Sequence, residues 1–131
     1  NANTQTFVSY CWSEIPGFSK FGSYTGNGLA DGPFVYLGFQ PSFLMVKKTN
    51  AVANWEITHN SDGYYNGTGR GLFANLTQAE NTAGVYHDLL SNGFKVRTTD
   101  GDANTASGTY IYAAFAKHPF AGSDIAPGVA R

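Results

Sequence analysis

The sequence predicts an all-β domain, an antiparallel β-sandwich of about eight to nine short strands. Three observations predict it. Apolar and polar residues alternate with period two along most of the chain, and helical periodicity is nearly absent. Clusters of Gly, Asn, Asp and Pro separate these runs at intervals of about ten residues, the spacing of a sandwich or jelly roll. Charged residues make up 13%, against 42% hydrophobic and 15% aromatic residues and 16 glycines, so the surface has to be polar yet largely uncharged. The length of 131 residues suits one domain with one core.

The elements follow in order. Thr6–Trp12 alternates Phe7, Ser9 and Cys11 against Val8, Tyr10 and Trp12, a first strand. Pro16-Gly17 breaks the chain, and Phe18–Tyr24 is the second. Asp31-Gly32-Pro33 leads into Phe34–Phe39. In Ser42–Lys48 the run Phe43-Leu44-Met45-Val46 reads as buried on both faces. Asn54–Thr58 places Trp55 and Ile57 on one face, which puts Glu56 on the other, expected to be solvent. Gly71–Ala74 and Val85–Leu90 are weaker candidates. Gly93–Thr98 alternates Phe94 and Val96 against Lys95 and Arg97, a half-buried strand, and Thr109–Ala116 closes the set. The one helix candidate is a turn at Leu76–Asn81. Tyr10–Pro16 and Ala113–Pro119 both run from a strand through an aromatic to a proline, which suggests two strands that leave the sheet alike and lie as neighbours, with the chain ends close together. The long connections are Gly26–Gly32, Asn60–Gly71 and Asp100–Gly108.

Composition and motifs exclude several functions. A net charge of −1 supplies no basic stripe for phosphates, so nucleic acid is not an expected partner. No apolar run approaches the ~20 residues of a membrane-spanning helix, and no signal peptide is visible. The chain opens on a polar run, which suggests a piece of a longer polypeptide. Cys11 is expected to be a buried structural thiol. His59, His87 and His118 share no ligand spacing and read as surface residues. No pair of acids is singled out as a glycosidase would need. Asp100, Asp102 and Asn104 alternate oxygen donors as a calcium loop does, but Thr105 and Ile111 stand where an EF-hand has its Gly and Glu. An Asx-rich turn is therefore expected there, with a noncanonical calcium site as the alternative, and no cofactor otherwise.

What remains is aromatic and amide-rich loop surface. Tyr24 borders Thr25-Gly26-Asn27-Gly28, and Tyr64-Tyr65 sits inside a Gly/Asn-rich loop. Tyrosine offers a flat apolar face and a polar tip, suited to sugar stacking or to a protein interface. The candidate binding residues are therefore Tyr24, Asn27, Asn60, Asp62, Tyr64, Tyr65, Asn66, Asp100, Asp102 and Asn104.

The order of motifs resembles a domain that recurs in tail-fibre and other virion proteins of tailed bacteriophages. The residues that carry the likeness are Gly17–Gly28, Asp31–Thr49, Asn54-Trp55, Leu90–Val96 and Ser107–Phe120. The chain departs from that pattern at Thr58-His59-Asn60 and at Lys117, where the family often carries an acid. The resemblance implies a jelly-roll or concanavalin-like sandwich, the C-terminal module of a longer virion protein, located on the particle surface. It implies no catalytic residue. Its expected partners are a host-surface glycan or protein and other virion subunits, with trimeric self-association. A purely structural assembly domain, a free-standing lectin and a polysaccharide-degrading enzyme are the alternatives.

Overall fold

The computed structural model describes residues 6–60, 71–82, 84 and 86–118. Within them eight strands form two antiparallel sheets, an all-β sandwich. The strands are β1 (Ser19–Thr25), β2 (Phe34–Tyr36), β3 (Pro41–Lys48), β4 (Trp55–His59), β5 (Leu72–Phe73), β6 (His87–Leu90), β7 (Gly93–Val96) and β8 (Thr109–Ala116). One short helical turn, α1 (Gly101–Asn104), precedes β8. The large sheet runs β1-β8-β3-β4-β5, and the small one β2-β7-β6.

Side chains alternate across each strand, so the register assigns every residue a face. On the large sheet, one set of rows points at the small sheet: Tyr24–Tyr110–Lys48, Gly22–Tyr112–Val46–Glu56–Phe73 and Lys20–Ala114–Leu44–Thr58. Leu44, Val46, Tyr110 and Ala114 from these rows are buried against Leu89, Phe94 and Val96 of the small sheet. Phe94 is the hub. Its ring meets Tyr24, His87 and Tyr112 edge to face at 5.9, 5.6 and 5.4 Å between centroids. Gly22 lies opposite Tyr112 because a Cβ there would sit 2.8 Å from the Tyr112 hydroxyl.

Four expectations are corrected. Thr6–Trp12 carries the alternation of a strand but joins no sheet and is exposed. The ladder toward β1 stops at the Ile15–Ser19 bridge, where the Ser19 hydroxyl donates to Ser13 O at 3.1 Å and draws the chain aside. The strand beside β8 is accordingly Ser19–Thr25. Leu76–Asn81 is not helical. It has a single large apolar residue, too little burial to offset the cost of nucleating one turn. Cys11 is exposed because the segment around it is.

The fourth correction concerns Glu56 and His87, both fully buried between the sheets. Trp55 and Ile57 face outward, so Glu56 faces inward. The Thr58 hydroxyl donates to Glu56 Oε1 at 3.3 Å and lies 3.1 Å from His87 Nδ1. The Nδ1–Oε1 separation is 3.4 Å. Glu56 Oε2 is enclosed with no hydrogen-bond partner. A polar cluster therefore crosses the gap between β4 and β6, amid apolar packing.

Burial, together with the nearby Glu56 carboxylate and Tyr110, pushes the Tyr24 hydroxyl far above its ordinary range, and burial also raises Tyr86 and Tyr112. The unfolded chain releases these protons near the ordinary value of 10.0 while the folded chain retains them. Their contribution is therefore fully present below pH 10 and is lost as pH rises above it. Urea midpoints should fall from pH 9 to pH 11.5, and less steeply in Tyr24→Phe. Equal slopes in the two proteins would remove Tyr24 as a source of the effect.

Candidate interaction surface

The remaining rows of the large sheet point away from the small one: Phe21–Ala113–Met45–Ile57–Leu72, Ser23–Ile111–Lys47–Trp55 and Phe115–Phe43–His59. A sheet face turned toward water normally carries polar residues. This one is aromatic and aliphatic across five strands. Phe115 sits centrally, with Phe18, Phe21 and Phe43 edge to face around it at 6.0, 5.9 and 5.9 Å. Trp12 stacks on Phe21 at 6.5 Å, and Tyr10 on Trp12 at 6.2 Å, so the N-terminal arm extends the aromatic surface beyond the sheet.

Beside this cluster lies a groove of about 560 Å³, walled by Trp12 and Phe21 on one side and Trp55 on the other, with Met45, Ile111 and Ala113 as its floor. Trp12 is 60% exposed, Ile111 44% and Trp55 38%. Polar groups on its walls are few, chiefly Ser23 and Lys47, and the Lys47 ammonium donates to Lys48 O at 2.7 Å. Such a surface can remove apolar area of a partner from water and stack on flat rings. Its few fixed donors and acceptors make it poor at reading a pattern of hydroxyl groups.

The loops hold this face in place. Asp100 caps α1 by accepting from Asp102 N at 2.8 Å. Asp102 in turn grips Asn54, taking its N–H and its Nδ2, each at 2.8 Å. Asn75 Nδ2 donates to Asn54 Oδ1 at 3.0 Å, and Asn75 Oδ1 accepts from Trp55 N at 2.9 Å. The relay places Trp55 at the groove wall. Asn104 is fully buried. Its Oδ1 accepts from Asn27 N at 2.9 Å, and its Nδ2 reaches Asn27 Oδ1, Leu29 O and Thr98 O at 3.1, 2.7 and 2.8 Å. Gly26 must be Gly, since a Cβ there would fall 2.4 Å from Thr105 O.

The candidate residues drawn from the sequence therefore sort by position. Tyr24 is a core residue whose hydroxyl donates to Ala103 O at 2.7 Å, which corrects its reading as a binding surface. Asn27, Asp100, Asp102 and Asn104 come together, but their polar groups knit the Gly26–Gly32 loop, α1 and the entry to β4 to one another. The Asp102 oxygens accept from the N–H and the Nδ2 of Asn54, and among the described residues no three His, Cys, Asp or Glu side chains converge as metal ligands. Asn60 donates its N–H to Ser42 O at 3.2 Å. Asp62, Tyr64, Tyr65 and Asn66 lie outside the described residues. His87, expected at the surface, is buried, and His59 pairs with Glu80 at 2.8 Å. The groove residues were not singled out from sequence. Their signal was the pair of runs Phe43–Val46 and Tyr110–Phe115, apolar on both faces.

The fold and this surface define the class: a two-sheet antiparallel β-sandwich with an aromatic outer face that, among the described residues, no further layer covers. The chain belongs to the family described as Domain of unknown function (DUF7483), whose model matches residues 1–119. No curated protein and no solved structure matches it.

Asn104→Ala would leave the Asn27 N–H and the carbonyls of Leu29 and Thr98 without their partner inside the protein. It should cost about 2–4 kcal/mol, read as a lower urea midpoint at unchanged m. A loss under about 0.5 kcal/mol, the range of an ordinary surface substitution, would show that the amide is dispensable.

Proposed function

We propose that this domain is a non-enzymatic attachment and assembly module of a virion protein, and that it works by seating another protein surface on the outer face of its five-stranded sheet. The observation that carries the reading is the apolar outer face itself. The rows through Met45 and Ile111 place large apolar side chains where the described residues form no second layer. A contiguous patch of this kind on a soluble fold marks a contact site. The virion setting is supported by the likeness of the Gly17–Gly28, Asp31–Thr49 and Ser107–Phe120 strings to domains of phage tail fibres. Within the large protein implied by that likeness, many weak copies of one contact would act together through avidity.

A glycan ligand is the second reading, favoured by the two exposed indoles of Trp12 and Trp55 across the groove. Sugar rings stack on such faces. A glycan array separates the two: a hit lost in Trp55→Ala favours the sugar.

Ile111→Glu puts a carboxylate on the groove floor at a side chain that is already part exposed. The folding free energy should move by less than about 1 kcal/mol. Co-sedimentation of the domain with particle subunits or host envelopes should be largely lost, and Trp55→Ala should weaken it in the same direction. Undiminished co-sedimentation of both variants would contradict the assignment of this face.

A further inference from the structure

Among the described residues the two sheets have four strand edges: β1 and β5 on the large sheet, β2 and β6 on the small. Three are short, with two residues in β5, three in β2 and four in β6, whereas β1 runs for seven in unbroken register. Long flat edges invite pairing with another chain unless charge, proline or a bulge guards them. The one charge of β1, Lys20, lies on the inward-facing row with its ammonium 5.5 Å from the centre of the Tyr36 ring, so it does not guard the edge.

Backbone directions follow from the flanking bonds. Ala116 N donates to Phe18 O and Gly26 N to Gly108 O. Even-numbered residues of β1 therefore face β8, and Phe21, Ser23 and Thr25 direct their N–H and C=O groups to the open side. Gly22, Ser23 and Thr25 are exposed. The chain's own arm could reach this edge. The Ile15–Ser19 bridge sets a register that, if continued, would bring Ser13, Cys11 and Ser9 opposite Phe21, Ser23 and Thr25. It does not continue, because Ser19 Oγ holds Ser13 O and Trp12 lies on the Phe21 ring. No strand among the described residues pairs with this edge, and a strand-forming segment lies beside it.

We propose that the β1 edge seats a second copy of this chain, paired antiparallel about a two-fold axis at Ser23. In this register Phe21 faces Thr25, Ser23 faces its counterpart, and the three mutual pairs exchange about six hydrogen bonds. Lys20 falls opposite Gly26, so no like charges meet. Two five-stranded sheets become one continuous sheet, and the apolar outer faces run on across the seam. This contact goes beyond the one proposed above, since it uses the strand edge and leaves the face free.

The test uses Ser23→Cys in the whole chain with Cys11 retained. Directly opposed residues of this kind have Cα atoms about 5.5 Å apart, within disulfide reach. Mild oxidation should give an intermolecular disulfide joining the two introduced thiols, mapped by peptide mass spectrometry. Thr25→Cys, displaced along the strand from its counterpart, should give far less dimer. Ser23→Lys should shift the sedimenting species from dimer to monomer, and mixing it with Ser23→Glu should restore the dimer, which a misfolded variant would not do. A disulfide from Cys11 to the introduced thiol within one chain would show that the arm takes the edge and would overturn the proposal. Equal cross-linking at positions 23 and 25, or a dimer that survives Ser23→Lys, would overturn it too. Either failure leaves the outer-face reading standing, since Ile111→Glu tests that separately.

Discussion

A β-strand has two faces, and a two-layer sandwich can cover only one face of each sheet. β3 and β8 carry large apolar side chains on both. Leu44, Val46, Tyr110 and Ala114 fill the space between the sheets, while Phe43, Met45, Ile111 and Phe115 stand on the other side. Burying a side chain of this size is worth about 1.5–3 kcal/mol, so the inner set contributes directly to holding the sheets together. The outer set is then apolar surface left in contact with water. Its partial cover is local: the Phe18, Phe21, Phe43 and Phe115 rings shield one another, and Trp12 folds onto Phe21. The groove is the part these rings leave open, and the functional reading grows from that imbalance.

The same constraint explains why so much polar chemistry lies inside the domain. With the outer face of the large sheet apolar, the alternation of β4 sends Glu56 and Thr58 inward, where they meet His87. At the other end, long loops must be fastened without charge, and amides do this work. Asn104 joins the Gly26–Gly32 loop to α1 and to Thr98, and Asp102 passes its hold through Asn54 and Asn75 to Trp55. The loop residues that look like a ligand site in the sequence are thus the fasteners of the surface that is exposed.

Most of the fold was legible because its signals are local. Period-two alternation and turn clusters mark β1, β3, β4, β7 and β8, the last with both bounds as expected. Two kinds of feature were not legible. The first is pairing. Thr6–Trp12 alternates as well as any strand here, yet its ladder is interrupted by the Ser19 hydroxyl bond to Ser13 O and the stacking of Trp12 on Phe21, which no periodicity reveals. The second is the sense of a face. The rule that apolar residues point inward placed Glu56 in solvent, and it fails because Trp55 and Ile57 belong to an outer row continuous with Met45 and Lys47. Tyr24 differs for a related reason: its polar neighbours Thr25 to Gly28 suggest surface, but the strand's phase turns its ring into the core.

If the outer face of the large sheet is the contact surface, it is covered when the domain meets its partner and exposed when the domain is alone. Hydroxyl-radical footprinting compares that face in two states, with Met45 and Trp55 as the oxidisable reporters and the exposed Tyr36 of the small sheet as an internal reference. Met45 and Trp55 should oxidise rapidly in the isolated domain and be strongly protected once the domain is bound to the proposed partner, a virion subunit or a host envelope. Equal oxidation of Met45 and Trp55 in the two states would contradict the assignment of this face as the contact surface.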